Sequence, residues 1–324
     1  LHHDVVDDTL NVVVSGSDPD IQDFVEINDQ VFLDEFPFLA PPHASAGLTA
    51  AKVESSTPEA QGLDSQVLAD MVEEVIDSRE DYRLHQIIVI RNGHIVLDVP
   101  FYPFKAGRLH DLASIGKTIT TSLIGIAIDK GYIASADEPV LSFFPGWEIA
   151  NRDARKEAMT LAHLLAQRSG LDIDHSTEDM VMKASPNWVQ WVLDQPMATN
   201  PGGEYSYTNA NMHLAAGILK QATGMAPLEF AHRYLYGPLG ITKVIWPADA
   251  QGVNEGGGGQ LHLPTNLAKL GLLYLNGGNW MGQQVISTDW VTRATSGYPG
   301  PLPPNWGPEW SLGFSWAINE QQGY

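Results

Sequence analysis

Ser114-Ile115-Gly116-Lys117 follows an extended run, Arg108-Leu109-His110-Asp111-Leu112-Ala113, and opens a long apolar one. Serine and lysine three residues apart share a helix face, one turn from each other. A hydroxyl at that point stands at a helix N-terminus, where backbone N–H groups and the macrodipole favour negative charge. The neighbouring amine is a base only where its surroundings suppress protonation, and burial pulls a lysine below its reference value of about 10.4. The spacing therefore reads as an activated nucleophile. Alone it is a cheap signal, because chance supplies such pairs in most chains of this size. The run from Ser114 to Lys130, closed by Gly131, is apolar around most of its circumference, through Ile115, Ile119, Leu123, Ile124, Ile126 and Ile128. That pattern predicts a buried central helix.

Further along stands Pro201-Gly202-Gly203-Glu204-Tyr205-Ser206-Tyr207-Thr208-Asn209, followed by a helical run ending at Thr223 and Gly224. Read as residues, Tyr207 is either a base partner or a core-edge tyrosine. Asn209 is either an orienting amide or a helix N-cap. Together with Ser114 and Lys117, Tyr207-Thr208-Asn209 resembles the second motif of the penicillin-recognising serine hydrolases. These include class C β-lactamases, D-alanyl-D-alanine peptidases, and esterases and amide hydrolases on the same scaffold. Leu164-Leu165 with Ser169-Gly170-Leu171 resembles the family's leucine-leucine…serine-glycine-leucine turn. Gly237-Pro238-Leu239-Gly240-Ile241 resembles its proline-leucine-glycine-isoleucine corner. Gly256 to Gly259, Asn266 to Gly271 and Leu275 to Gly278 resemble its late helix. Within the superfamily the pattern most resembles the 6-aminohexanoate-dimer hydrolase branch, over about Thr57 to Tyr324.

The resemblance implies an α/β, β-lactamase/transpeptidase-like fold: an antiparallel sheet flanked by helices, with an inserted mostly helical domain. It implies Ser114, Lys117 and Tyr207 as catalytic residues and Asn209 as a substrate-binding one. The implied substrate is a small-molecule ester or amide, attacked by Ser114 to give an acyl-enzyme, with no cofactor. A relative that binds ligand or penicillin without turnover is the competing class. The family's third motif, a lysine-, histidine- or glycine-rich strand that donates an oxyanion N–H, has no counterpart in Ile318 to Tyr324. The expectation is a hydrolase domain over residues 58–324 cut at its C-terminus, with an open sheet edge, exposed apolar residues beside Ser114 and weakened activity.

Residues 1–57 read as an appendage and linker, possibly the tail of another domain. Asp4, Asp7, Asp8, Asp18, Asp20 and Asp23 alternate there with short apolar runs, before Phe36-Pro37-Phe38-Leu39-Ala40-Pro41-Pro42. Past the linker, Asp64 is placed to cap a helix with Val67, Leu68, Met71, Val72, Val75 and Ile76 on one face. Ile87 to Ile90 and His94 to Val99 read as a hairpin turned by Asn92-Gly93. Helices are expected near Thr160–Gln167, Pro186–Asp194, Asn209–Ala222, Pro227–Tyr236, Thr265–Leu275 and Thr288–Thr295. Ser311 to Ile318 reads as a strand, completing one antiparallel sheet that joins both chain ends.

With 39 acidic against 18 basic residues, the formal charge of −21 argues against nucleic acid and anionic membrane surfaces. A hydrophobic content of 44% is ample for a core, and no run reaches the length of a membrane span. The absence of cysteine removes thiol chemistry and leaves the compartment open. A secreted or periplasmic bacterial location fits, although the chain shows no signal-peptide pattern; oligomeric state is not legible.

Other motifs weaken on inspection. Gly116-Lys117-Thr118 ends like a phosphate-binding loop, but Asp111 stands where that loop needs glycine. Gly313-Phe314-Ser315-Trp316-Ala317 mimics a nucleophile elbow without a following helix, so Ser315 reads as structural. Gly256 to Gly259 reads as a flexible loop beside the site. The histidines form no metal-binding spacing, His163 and His213 read as ordinary helix residues, and no metal is expected. Trp188, Trp191, Trp246 and Trp316 read as core or cleft wall.

Overall fold

The computed structural model describes residues 52–78, 84–303, 306–307 and 309–319. Nearly all of the expected appendage, and the last five residues, lie outside that range. The described chain forms two compact units.

The first unit takes the chain up to Asp111 together with residues 262–272. Helix α1 (Ser65–Asp77) starts where Asp64, in extended conformation, accepts the Gln66 N–H at 2.8 Å. Strands β1 (Gln86–Arg91) and β2 (His94–Pro100) pair antiparallel, from Gln86 opposite Pro100 to Arg91 opposite His94. Asn92 (φ 50°) and Gly93 (φ 76°) turn the hairpin, both in the left-handed region that a type I′ turn demands. Leu97, Val99 and Phe101 of this hairpin segment are buried against Met71, Val72 and Val75 of α1. Each such side chain contributes about 1.5–3 kcal/mol relative to exposure. Ser55 bridges to Ile95, so the strip just before residue 58 is hydrogen-bonded to the hairpin.

The second unit spans Leu112–Leu261 and the chain from Leu273 onward. A 3-10 turn, Ala113–Ile115, leads into α2 (Gly116–Asp129), so Ser114 lies in the turn just ahead of the regular helix. Leu123, Ile124 and Ile126 of α2 are wholly buried. Four further helices matter for the site: α3 (Leu161–Leu165), α4 (Glu178–Ala184), α5 (Trp188–Asp194) and α6 (Asn209–Thr223). Helix α6 is the hub, with α2, α3, α4 and α5 all packed on it. Its residues 210–219 are buried throughout, which is why it lacks the polar stripe of a surface helix.

Three expectations need correction. The strand expected over Ser311 to Ile318 is a hairpin, Trp310–Leu312 paired with Ala317–Asn319, broken by Ser315 at φ 61°. Among the described residues each of the two hairpins is a two-stranded sheet of its own, where one sheet joining both chain ends is expected from the sequence. The helix expected over Pro227–Tyr236 is α-helical only over Pro227–Ala231 and widens to a π-turn at His232–Tyr236. No helix among the described residues is long and apolar enough to cross a membrane.

Candidate active site

Ser114 is exposed at the start of α2, and Lys117, one turn on, is buried with 2% of its surface accessible. The residue before the serine, Ala113, holds φ 44°. A non-glycine residue in that region costs on the order of 1–3 kcal/mol, a strain that persists only where its surroundings over-determine it. Lys117 Nζ reaches Ser114 Oγ at 3.0 Å, Asn209 Oδ1 at 2.5 Å and the Gly257 carbonyl at 2.6 Å. All three partner oxygens are uncharged. The Tyr207 hydroxyl donates to Ser114 Oγ from the other side. Its ring also lies under the lysine, with Nζ 4.7 Å from the centroid. The structure thus brings together all four residues singled out in the sequence.

The second motif works because of the residue in its middle. Thr208 is extended (φ −145°, ψ 148°), so Tyr207 and Asn209 project to one side and Thr208 to the other. The Thr208 side chain accepts the Asn211 N–H at 3.1 Å and is the N-cap of α6. Asn209 is therefore not the cap: it is the first residue of the helix, with its side-chain oxygen on Lys117. Its amide nitrogen donates to both carboxylate oxygens of Asp179 at 3.2 Å, leaving that oxygen for the lysine. Tyr205 points elsewhere. Its ring lies beneath the buried Arg168 guanidinium, and burial raises its hydroxyl to about 12.

The glycine run is not a flexible loop. Gly256, Gly257 and Gly258 are buried, and a Cβ on Gly256 would stand 2.0 Å from the Met212 carbonyl oxygen. The run is a wall pressed onto α6, from which Thr120 takes the Gly256 carbonyl at 2.9 Å and Lys117 takes that of Gly257. Sequence reasoning missed this backbone contribution. It also missed Glu178, whose carboxylate accepts the N–H groups of Asn209 (2.8 Å) and Ala210 (3.1 Å).

Ser315, the elbow mimic, donates to the Leu165 carbonyl at 3.2 Å, a structural contact. His213 is more than an ordinary helix residue, since it pairs with Asp249 at 3.2 Å with both side chains fully buried. Burial pushes the Asp249 carboxyl up, but bonds from His213 and the Val253 and Gln251 N–H groups outweigh it and hold it below its usual range. His163 returns a bond to the Thr160 N–H as part of a capping box. Trp246 is buried and donates to the Glu255 carbonyl at 2.8 Å. No cluster of three or more metal-ligating side chains occurs among the described residues.

A serine at the head of a buried helix, a lysine one turn on and a tyrosine-x-asparagine pair before the hub helix are the arrangement of a penicillin-recognising fold. The sequence profile named Beta-lactamase matches residues 72–324, and the chain belongs to that family. The 6-aminohexanoate-dimer hydrolase of Paenarthrobacter ureafaciens is 23% identical over 258 residues, 75% of this chain. The match spans 64% of that enzyme's length. Among solved structures, EstCE1, a hydrolase with promiscuous acyltransferase activity, aligns with a TM-score of 0.66 at 17% identity, over 79% of this chain and 84% of its own. A putative 6-aminohexanoate-dimer hydrolase from Bacillus anthracis aligns with a TM-score of 0.64 at 16% identity, over 78% of this chain and 68% of its own. At such identities these structures establish the fold, mixed α/β and β-lactamase/transpeptidase-like.

Proposed function

We propose that the chain is a serine hydrolase that cleaves a small ester or amide through an acyl-enzyme on Ser114. The observation that carries this reading is the convergence of the Lys117 amine and the Tyr207 hydroxyl on Ser114 Oγ. As a neutral amine, Lys117 keeps Asn209 Oδ1 and the Gly257 carbonyl as acceptors for its two protons and turns its lone pair toward Ser114. Ser114 Oγ then attacks the substrate carbonyl carbon while its proton passes to Lys117. The tetrahedral oxyanion collapses, the C–O or C–N bond to the leaving group breaks, and Lys117 returns the proton to that group with Tyr207 as the bridge. Water gives a proton to the same pair and attacks the ester carbonyl, the acyl C–Oγ bond breaks to release the acid, and the proton passes back to Ser114 Oγ. The Ser114 N–H is the donor we assign to the developing oxyanion, a term of about 3–4 kcal/mol per donor. The family match and the named hydrolase relatives support the reaction class.

The test is one purified sample offered p-nitrophenyl esters, nitrocefin and a short amide oligomer, beside its Ser114→Ala variant. Turnover of at least one substrate and labelling by a fluorophosphonate probe are expected, both lost in the variant. Labelling that persists, or that maps to Ser315, would sink the assignment. Stoichiometric labelling of Ser114 without turnover would instead identify a ligand-binding relative.

A further inference from the structure

Glu178 is a buried charged group beside the site that the mechanism above does not use. Its side chain is 1% exposed, and it comes from α4 rather than from the helix it serves. Helix α6 already has a local N-cap in Thr208, which satisfies the Asn211 N–H. The Glu178 carboxylate takes the two N–H groups ahead of that one, at Asn209 and Ala210. It thereby fixes the rotation of the peptides that carry Asn209. The adjacent Asp179 takes the Asn209 side-chain nitrogen. One turn of α4 therefore grips Asn209 by backbone and side chain at once. The third partner of Glu178 is His175 Nδ1, at 3.2 Å. His175 is 61% exposed by side chain, yet its ring stands edge-on to Tyr207, with centroids 5.5 Å apart at 81°. Glu178 is thus bonded both to Asn209 and to the histidine that flanks Tyr207.

We infer that Glu178 is a positioning residue for the reaction at Ser114: it sets Asn209 under Lys117 and, through His175, holds Tyr207 against the serine hydroxyl. The inference rests on the reading of Ser114 as the nucleophile. A capping role alone would affect the folding equilibrium and nothing else. A positioning role also moves the rate of the folded enzyme, because small misplacements of acid–base groups are costly in the transition state.

The experiment is steady-state kinetics on a p-nitrophenyl ester that the parent turns over, well below the melting temperature, with melting followed in parallel. Glu178→Gln keeps the shape of the side chain and exchanges one acceptor oxygen for an N–H donor. It should lower kcat roughly 10- to 100-fold while KM changes by less than about 3-fold. In an Asn209→Ala background the same change should cost a smaller factor than it does alone, because part of its effect passes through Asn209. A lowered melting temperature with parental kcat, or equal factors in the two backgrounds, would overturn the proposal. Should Glu178→Gln fail to fold, His175→Ala tests the second arm, since its side chain is exposed. A several-fold fall in kcat is expected, and parental kcat overturns that arm. Ser114→Ala in the same series separates the two ideas. Turnover surviving there refutes the reading of the site, whereas an inert Ser114→Ala beside fully active Glu178 and His175 variants refutes only the positioning role.

Discussion

Replacing Gly257 by alanine adds a single methyl group behind the lysine, and the structure fixes what that group meets. The new Cβ would stand 2.7 Å from Asn209 Cβ and 2.9 Å from both Asn209 Cα and Oδ1. To reach an ordinary van der Waals contact the wall and the helix must part by about 0.7 Å. Neither neighbour is the free end of a flexible side chain. Asn209 is held at its backbone by Glu178 and at its amide by Asp179, and Gly256 is pressed onto the Met212 carbonyl. The displacement therefore falls on the Lys117 contacts, which are 2.5 Å to Asn209 and 2.6 Å to Gly257. Overpacking of this kind costs about 1–3 kcal/mol of stability. Moving Lys117 by much of an ångström costs on the order of 10²-fold in rate if the reaction runs as proposed above. Gly257→Ala should therefore fold, melt several degrees lower, and lose roughly 10²-fold in the rate of fluorophosphonate labelling at Ser114. Stopped labelling followed by mass spectrometry gives that rate independently of the choice of substrate. A labelling rate within twofold of the parent, with the melting temperature unchanged, would refute the packing argument.

The remaining expectations concern stability. Gly271→Ala, inside the helix Pro264–Leu275 with nothing within 4 Å of the new methyl, should stabilise by about 0.5–1 kcal/mol, read as a higher denaturation midpoint. Gly125→Ala in α2 should do the reverse, because its Cβ would lie 2.2 Å from the buried Trp290 ring. A loss of at least about 2 kcal/mol is expected on chemical denaturation. Burial lowers His262 to about 4, so the unfolded chain, titrating near 6.5, binds the extra proton between those values. Its contribution is complete above pH 6.5 and is lost as the pH falls toward 4. Between pH 7 and pH 5 this one group should remove about 2 kcal/mol, and His262→Gln should flatten that slope in urea titrations.

The parts of the site that the sequence made legible are those written in local spacing. Ser114 and Lys117 are one helical turn apart, so their meeting requires only that the helix form. Asn92-Gly93 names its own turn for the same reason. Asn209 is ambiguous in the sequence because an asparagine before an apolar run fits a cap nearly as well as an orienting amide. The extended Thr208 beside it is the capping residue, so the cap reading passes to Thr208. The Gly257 carbonyl carries no side-chain signal, since every residue has one. A glycine run signals freedom or close approach, and only the partner, here the Met212 backbone, distinguishes them. Glu178 with Asn209 and His213 with Asp249 join residues far apart in sequence, where no periodicity points from one to the other. The late hairpin reads as one strand in the sequence because Gly313 to Ala317 alternates like a strand, while Ser315 occupies a left-handed conformation that composition does not announce.

The first turn of α6 has a consequence for how the molecule breathes. Helix ends are ordinarily where amides open to solvent first, because their leading N–H groups lack partners within the helix. Here the N–H groups of Asn209, Ala210 and Asn211 are all held by side chains, two by Glu178 and one by Thr208. Deuterium should enter these three amides as slowly as it enters the middle of the helix. The faster exchange should fall at the other end, beyond Lys220, where the chain turns at Gly224. The usual fraying gradient is then reversed along this helix, and Tyr207 and Asn209 sit at its quiet end.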